Sequence, residues 1–436
     1  MNVTILNTPD VNVSRVLWQP MSIGTLEVSG RIFKTATHET LASDKGFVTS
    51  GILDFYRPMA ESGLPLIITG NIFVSWQGKS GGRQLALDDD DKIAGMKILA
   101  DMCHQYGTRL FAQLNHGGSQ MRTPAEGIAD LPVTSTGRLH PTLLSLSRSL
   151  REDEFPRLIK SFADAAERAK KAGCDGVQIQ MGHGYLISQF LTPGTNRRTD
   201  RYGGNAEKRI ALALEVYRAV RERVGGDFPV IAKLNGRDDR PGGVALEHQL
   251  ELAKKLEEEG LDAIEITRGH FSTIPSTLSG QWSGFLKRQV TVGMAASFPI
   301  WQRWFMRLVG VFMEPFLNRF YPRKQGFNID EAQHFTRVLD IPVISCGGFN
   351  DKQAMESVIK SGKVAAISMG RGLIANPYFY QHVYNPIADA PVCSYCNKCI
   401  GSAGGELGVG CFDLEVKEKQ VAMLESALSR RESTDF

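Results

Sequence analysis

The sequence predicts a closed parallel (β/α)8 TIM barrel, and three observations carry that prediction. Short, β-rich apolar runs alternate eight times with segments of helical periodicity. The runs are apolar almost throughout, as strands covered by helices on both faces must be. No GxGxxG follows an early strand, which removes the main support for a doubly wound open sheet.

In chain order the strand candidates are Arg31–Ala36, Leu64–Gly70, Arg109–Leu114, Gly176–Met181, Pro229–Leu234, Ala263–Thr267, Pro342–Gly347 and Ala365–Gly370. Between them, Glu154–Ala172 shows helical spacing, with Phe155, Leu158, Phe162, Ala165 and Ala169 on one face. Two regions stand outside the repeat. One is a long insertion, Gly269–Phe327, after the sixth strand; the other is a tail from about Tyr384 that carries four cysteines. The domain reading is therefore a barrel over residues 1–383 and a tail over 384–436.

Composition narrows the function classes. A chain of 436 residues is long enough for one barrel with additions, and 42% apolar with 22% charged residues is ordinary for an enzyme. A net charge of +3 without a dense Lys/Arg block argues against a nucleic-acid partner. No uncharged apolar run reaches the ~18 residues a bilayer span needs. The start, MNVTILNTPDVNVSR, lacks the basic and apolar regions of a secretory leader. Seven cysteines, four of them crowded between Cys393 and Cys411, do not make a disulfide framework, so a cytoplasmic, reducing setting is expected.

Chemistry in such barrels sits where strands end and loops begin. The last two strands end in Gly347-Gly348 and Gly370-Arg371. Glycines let backbone N–H groups approach a phosphate and Arg371 adds a charged fork, although glycines at strand ends also simply turn the chain. Lys233, between Ala232 and Leu234, is costly in a core strand unless partnered, either by a ligand or by an ion pair at the barrel mouth. The fourth strand runs into a polar loop, GVQIQMGHGYLISQFLTPGTNRRTDRYGG from Gly176 to Gly204, which places Gln180, His183 and Tyr185 at a strand end.

That run resembles the old yellow enzyme family of flavin-dependent ene reductases. FAQLNHGG (Phe111–Gly118), IAKLNG (Ile231–Gly236) and GRGLIANP (Gly370–Pro377) continue the likeness. The resemblance implies FMN, with its phosphate held by Gly347, Gly348, Gly370 and Arg371. It places Gln113 at the flavin's pyrimidine edge and Lys233 near N1, where positive charge favours the reduced anion. Thr35, Ala36, Thr37 and His38 would line the flavin without the family's usual Pro-Met or Pro-Leu, and Gly70 and Asn71 would approach the ring. NAD(P)H would donate hydride to flavin N5, which passes it to an activated C=C. The relatives hold the substrate carbonyl between His and a second His or Asn. Here Gln180 replaces the first, beside His183, so a neutral amide stands where relatives can carry charge. Tyr185 takes the place of the family's proton donor. Asn196, Arg197, Arg198, Asp200, Tyr202 and Gly203 match the family signature and read as scaffold for the loop. The expected substrate is small, lipophilic and unsaturated, and the protein is expected to be a homo-oligomer. Two other readings stay open: a dehydrogenase or demethylase feeding an external acceptor, and a flavin-binding, membrane-recruited protein without turnover.

Cys393, Cys396, Cys399 and Cys411 form C-x2-C-x2-C-x11-C, a spacing that can hold a [4Fe–4S] cluster or zinc. Trimethylamine dehydrogenase and the bacterial 2,4-dienoyl-CoA reductases carry a similar tail. FDLEV after Cys411 departs from their pattern, and no nucleotide-binding domain follows, so a cluster-free remnant is the expectation. In the insertion, Pro299–Glu314 reads as an amphipathic helix. Trp301, Trp304, Phe305, Leu308, Val311 and Phe312 lie opposite Arg303, Arg307 and Glu314. It is either a packed helix or a lid, or a peripheral membrane contact over 299–321.

Overall fold

Eight parallel strands close into a barrel in chain order: β1 (Ile32–Lys34), β2 (Leu66–Phe73), β3 (Arg109–Asn115), β4 (Gly176–Gln180), β5 (Val230–Arg237), β6 (Ala263–Arg268), β7 (Val343–Cys346) and β8 (Ala366–Met369). β8 pairs with β1 through Ile367 and Ile32, which completes the ring. This computed structural model describes residues 15–121, 131–140, 145–270 and 274–432. The amino-terminal stretch read for a leader, up to residue 14, lies outside the described residues, as do 271–273 of the insertion. All eight predicted strands form. β2 runs on to Phe73, past Gly70, because its pairing with β3 shifts register between Ile68 and Asn71.

The helices that alternate with the strands include α1 (Ser50–Glu61), α2 (Ile93–His104), α3 (Phe155–Lys171), α4 (Ala211–Val224) and α5 (Leu246–Glu258). In the insertion lies α6 (Ile300–Phe320), followed by α7 (Ile329–Thr336), α8 (Lys352–Lys360) and, in the tail, α9 (Leu414–Glu432). α3 turns Phe155, Leu158, Phe162 and Ala165 inward, as its spacing requires.

Period-two alternation sorts the strand side chains into two cores. Ile32, Ile67, Ala112, Val177, Ala232 and Ile264 point outward to the helices. Phe33, Leu66, Phe111, Ile231, Ala263 and Ala366 point into the barrel, where the hairpin Met21–Ile23 with Leu26–Val28 plugs its amino-terminal end. Two residues further along five of these strands the inward positions become polar, and Gln178 of β4 joins them: Thr35, Gln113, Gln178, Lys233, Glu265 and Ser368 are all buried. This second layer is the floor of the site.

The two regions outside the repeat meet over the barrel mouth. Gln281 N–H donates to Tyr395 O at 2.8 Å, Arg288 Nε donates to Lys398 O at 3.0 Å and Gln289 Nε2 to Ile400 O at 3.1 Å. The tail also reaches the barrel itself, with Val409 N–H donating to Glu39 O at 2.7 Å.

Candidate active site

The floor is a closed ionic network. Lys233 Nζ donates to Thr35 Oγ1 at 2.7 Å and lies 3.1 Å from Glu265 Oε2. Glu265, fully buried, also accepts from Thr35 Oγ1 (2.5 Å), Ser368 Oγ (2.5 Å) and Gln178 Nε2 (2.7 Å). Burial pushes its carboxyl up, but Lys233 and these three donors outweigh that and hold it below the usual range. Gln113 Nε2 donates to Gln178 Oε1 at 2.6 Å, which ties the third strand into the same network. A second ammonium, Lys34, is wholly buried and donates to Thr35 O at 2.5 Å and to Thr37 Oγ1. Burial drives its pKa down to about 7, against the pull of Glu39 and with the repulsion of Lys233.

Above the floor opens a cavity of about 980 Å³, partly open to solvent. Thr35, Ala36, Thr37, His183, Tyr185 and Lys233 line one part of it. Gly347, Gly348, Gly370 and Arg371 line another, together with Tyr395 and Ile400 from the tail. Gly348 has φ +69, and a Cβ there would lie 2.6 Å from Lys324 O, so only glycine serves this turn. Arg371 Nη1 donates to Ser279 O at 2.6 Å and to Asn397 Oδ1, and its guanidinium stands 5.1 Å from the Tyr395 ring. Asn397 Nδ2 is left buried without an acceptor.

At the other end Gln180 Oε1 accepts from Gly182 N–H at 3.1 Å, which turns its Nε2 toward His183 Nδ1 at 3.3 Å. An amide nitrogen only donates, so His183 Nδ1 accepts and the ring proton sits on Nε2, facing Thr267 Oγ1 at 2.8 Å. Burial, with Lys233 adding to it, drives His183 down to about 3, so it is neutral. Asn71 Nδ2 donates to the Tyr185 hydroxyl at 3.0 Å, and His38 Nδ1 lies 2.7 Å from Asn71 Oδ1. Burial raises the Tyr185 phenol to about 12, slightly offset by Asn71. The phenol thus keeps its proton and spends an acceptor site, not its own hydrogen, on Asn71.

The predicted residues divide into two groups. Thr35, Ala36, Thr37, His183, Tyr185, Lys233, Gly347, Gly348, Gly370 and Arg371 share the cavity. His38, Asn71, Gln113 and Gln180 stand behind that wall and hold its members. Gly70 belongs to a separate knot, its N–H donating to Glu39 Oε1 at 2.6 Å and lying 3.0 Å from the Tyr56 hydroxyl. Arg198 and Asp200 pair as the loop reading expects, and Arg198 Nη1 also donates to Leu150 O at 2.7 Å. Sequence reasoning missed Glu265, Gln178, Lys34 and Tyr395. For Glu265 and Gln178 a signal existed, polar residues at inward positions of apolar strands; Lys34 shares the outward parity of Ile32 and shows only as a lysine in an apolar strand.

His183 and His116 make stability depend on acid. Burial drives His116, whose Nδ1 accepts from Gly118 N–H at 3.1 Å, to about 3 as well. The unfolded chain binds both protons below its usual 6.5, whereas the folded chain refuses them until about 3. Stability is therefore unaffected above pH 6.5 and falls as pH drops through that window, by about 1.4 kcal/mol per pH unit for each histidine. Thermal melts at stepped pH check this; a flat melting temperature across the window contradicts it.

Residues 16–292, more than half of the chain, match the sequence model of the NADH:flavin oxidoreductase / NADH oxidase family. The chain belongs to that family. It is 34% identical over 358 residues to the NADH oxidase of Thermoanaerobacter brockii, covering 81% of this chain and 48% of that protein. It is 32% identical over 426 residues to the metal reductase of Desulforamulus reducens, covering 96% and 54% respectively. The chain thus spans about half the length of these relatives. The fold matches the structure of a 2-naphthoyl-CoA reductase complex with a TM-score of 0.78 at 23% identity, covering 93% of this chain and 58% of that one. The old yellow enzyme resemblance holds.

Membership of an NADH:flavin oxidoreductase family implies a flavin, and the donor set fits one. A glycine-rich end with Arg371 suits the phosphate, and Lys233 on the same cavity suits an electron-rich ring. Cys393, Cys396, Cys399 and Cys411 are free thiols, and the other three act on Cys399. Burial raises Cys399 to about 12, partly countered by Arg371. Among the described residues no three His, Cys, Asp or Glu side chains are arranged to hold a metal ion.

Proposed function

We propose that the chain is an FMN-dependent oxidoreductase that moves hydride from NADH or NADPH to the activated C=C of a small, lipophilic enone or enoyl-type substrate. The observation that carries this reading is the Tyr185 phenol, fixed by Asn71 on the cavity wall with its own proton uncommitted among the described residues. Bound FMN would supply the two-electron carrier, alternately charged by the nicotinamide and discharged by the substrate. Addition of hydride across a double bond requires one proton, and Tyr185 delivers it to the carbon opposite the hydride. Gly347, Gly348 and Arg371 would hold the flavin phosphate, and Lys233, held in place by its ion pair with Glu265, would stand by the ring. His183 is neutral, and to polarise the substrate carbonyl its one ring proton, on Nε2, would turn from Thr267 Oγ1 to the carbonyl oxygen while Gln180 holds Nδ1.

The C-x2-C-x2-C-x11-C spacing supports a second reading, in which Cys393, Cys396, Cys399 and Cys411 hold a [4Fe–4S] cluster and electrons leave for an external acceptor. One set of measurements separates the two. Protein purified without oxygen is expected to be yellow and to release FMN on heating. After reduction by NADH or NADPH it is expected to be reoxidised by enones or enoyl thioesters. A protein that cannot be loaded with flavin ends both readings. Iron and acid-labile sulfide, with reoxidation only by one-electron acceptors, would replace the first reading by the second.

A further inference from the structure

α6 is an amphipathic helix packed the wrong way round for a water-soluble surface. Three of its polar side chains face the protein: Arg303 Nε donates to Val290 O at 2.9 Å, and Glu314 accepts from Gly284 N–H (2.7 Å) and Leu286 N–H (2.9 Å). Asn318 Oδ1 accepts from Trp282 N–H at 2.7 Å, and the buried Gly310 lets the helix approach Leu286, which a Cβ would meet at 3.2 Å. The apolar face points away. Trp301, Trp304, Phe305, Leu308, Phe312 and Phe316 follow one stripe, each more than half exposed, with Phe312 at 73%. An aromatic side chain carries roughly 150–250 Å² of surface, so this stripe alone exceeds the few hundred Å² usual for an apolar patch. The inner hydrogen bonds set the orientation, and the outer face needs a partner.

Charge identifies the partner. Residues 269–327 carry Lys287, Arg288, Arg303, Arg307, Arg319, Arg323 and Lys324 against Glu314 alone, a net +6 in a chain whose total is +3, which leaves the remainder at −3. Lys287, Arg307, Arg319, Arg323 and Lys324 are exposed. Two copies meeting face to face would bring two such positive surfaces together. No helix among the described residues is long and apolar enough to cross a membrane.

We propose that α6 docks the protein on an anionic bilayer surface, lying in the interface with its aromatic stripe among the acyl chains and its arginines at the headgroups. The place fits a lipophilic substrate. The root of the helix packs through Leu317 into a cluster with Trp282 and Phe285, and Leu278 and Ile400, which border that cluster, also line the active-site cavity.

Co-sedimentation of the full, flavin-loaded chain with phosphatidylcholine vesicles, with and without phosphatidylglycerol, tests this. Binding is expected to the anionic vesicles and to weaken with added salt. Arg319→Gln is expected to reduce it about fivefold, the worth of one charge near such a surface. Trp304→Ser with Phe312→Ser, both on the exposed face, is expected to abolish it without lowering the melting temperature. Absence of vesicle binding overturns the proposal, as does binding that survives the double substitution. A two-chain mass in solution that falls to one chain in the double variant, without vesicle binding, also overturns it and makes the face an interface between copies.

Discussion

Tyr185→Phe is expected to slow reoxidation of the reduced protein by an activated alkene by about 10²–10⁴-fold, the usual worth of a positioned general acid. Reduction by NADH or NADPH is expected to change no more than a few fold, because that half-reaction needs no proton from the phenol. The cavity wall explains why the loss should be confined. Asn71 holds the Tyr185 oxygen as an acceptor at 3.0 Å, so phenylalanine loses one hydrogen bond to Asn71 and keeps the ring's packing. The pKa of about 12 means that the phenol is protonated throughout the neutral range, so the alkene step should show no basic limb from Tyr185 below pH ~10. Stopped-flow measurement of the two half-reactions under anaerobic conditions checks this. Equal losses in both would remove Tyr185 from the proton step and assign it to flavin binding.

Glu265→Ala is expected to be the most destabilising single substitution in the site, costing about 3–5 kcal/mol. It leaves the Lys233 ammonium buried with Thr35 as its remaining hydrogen-bond partner at 2.7 Å, and it strips acceptors from Thr35, Ser368 and Gln178 together. A buried charge without its counter-ion costs far more than an exposed ion pair contributes. Lys233→Met combined with Glu265→Leu should therefore recover much of the stability lost in Glu265→Ala, because neither charge is then stranded. The same double variant should lose flavin, since Lys233 lines the cavity. Denaturant unfolding and flavin-release measurements on the two variants separate the effects. If Glu265→Ala unfolds like the parent protein, the network is not what holds Lys233.

Much of this site was legible in the chain because it sits at the ends of apolar strands, where polar residues stand out. His183, Tyr185 and Lys233 were found that way, and so were the glycines at Gly347-Gly348. Glu265 offered the same signal in Ala263–Thr267 but has no family role attached to it in the resemblance, and it was passed over. Its meaning depends on β5 and β6 lying side by side, with Lys233 and Glu265 in register. Tyr395 offered no signal at all. It reaches the glycine-rich end of the cavity with a φ of +59, a conformation uncommon for tyrosine, and its carbonyl accepts from Gln281 N–H of the insertion.

Local pattern by itself determined the barrel, the strands that build it and the residues at their carboxyl ends. Alternation with period two and helical spacing are properties of neighbours along the chain, and they need no long-range information. Tertiary structure alone decided which of those residues face the cavity and which stand behind it. It also decided that α6 turns its polar side inward: periodicity divides a helix into two faces, but only the partners at Val290, Gly284 and Trp282 choose which one is buried.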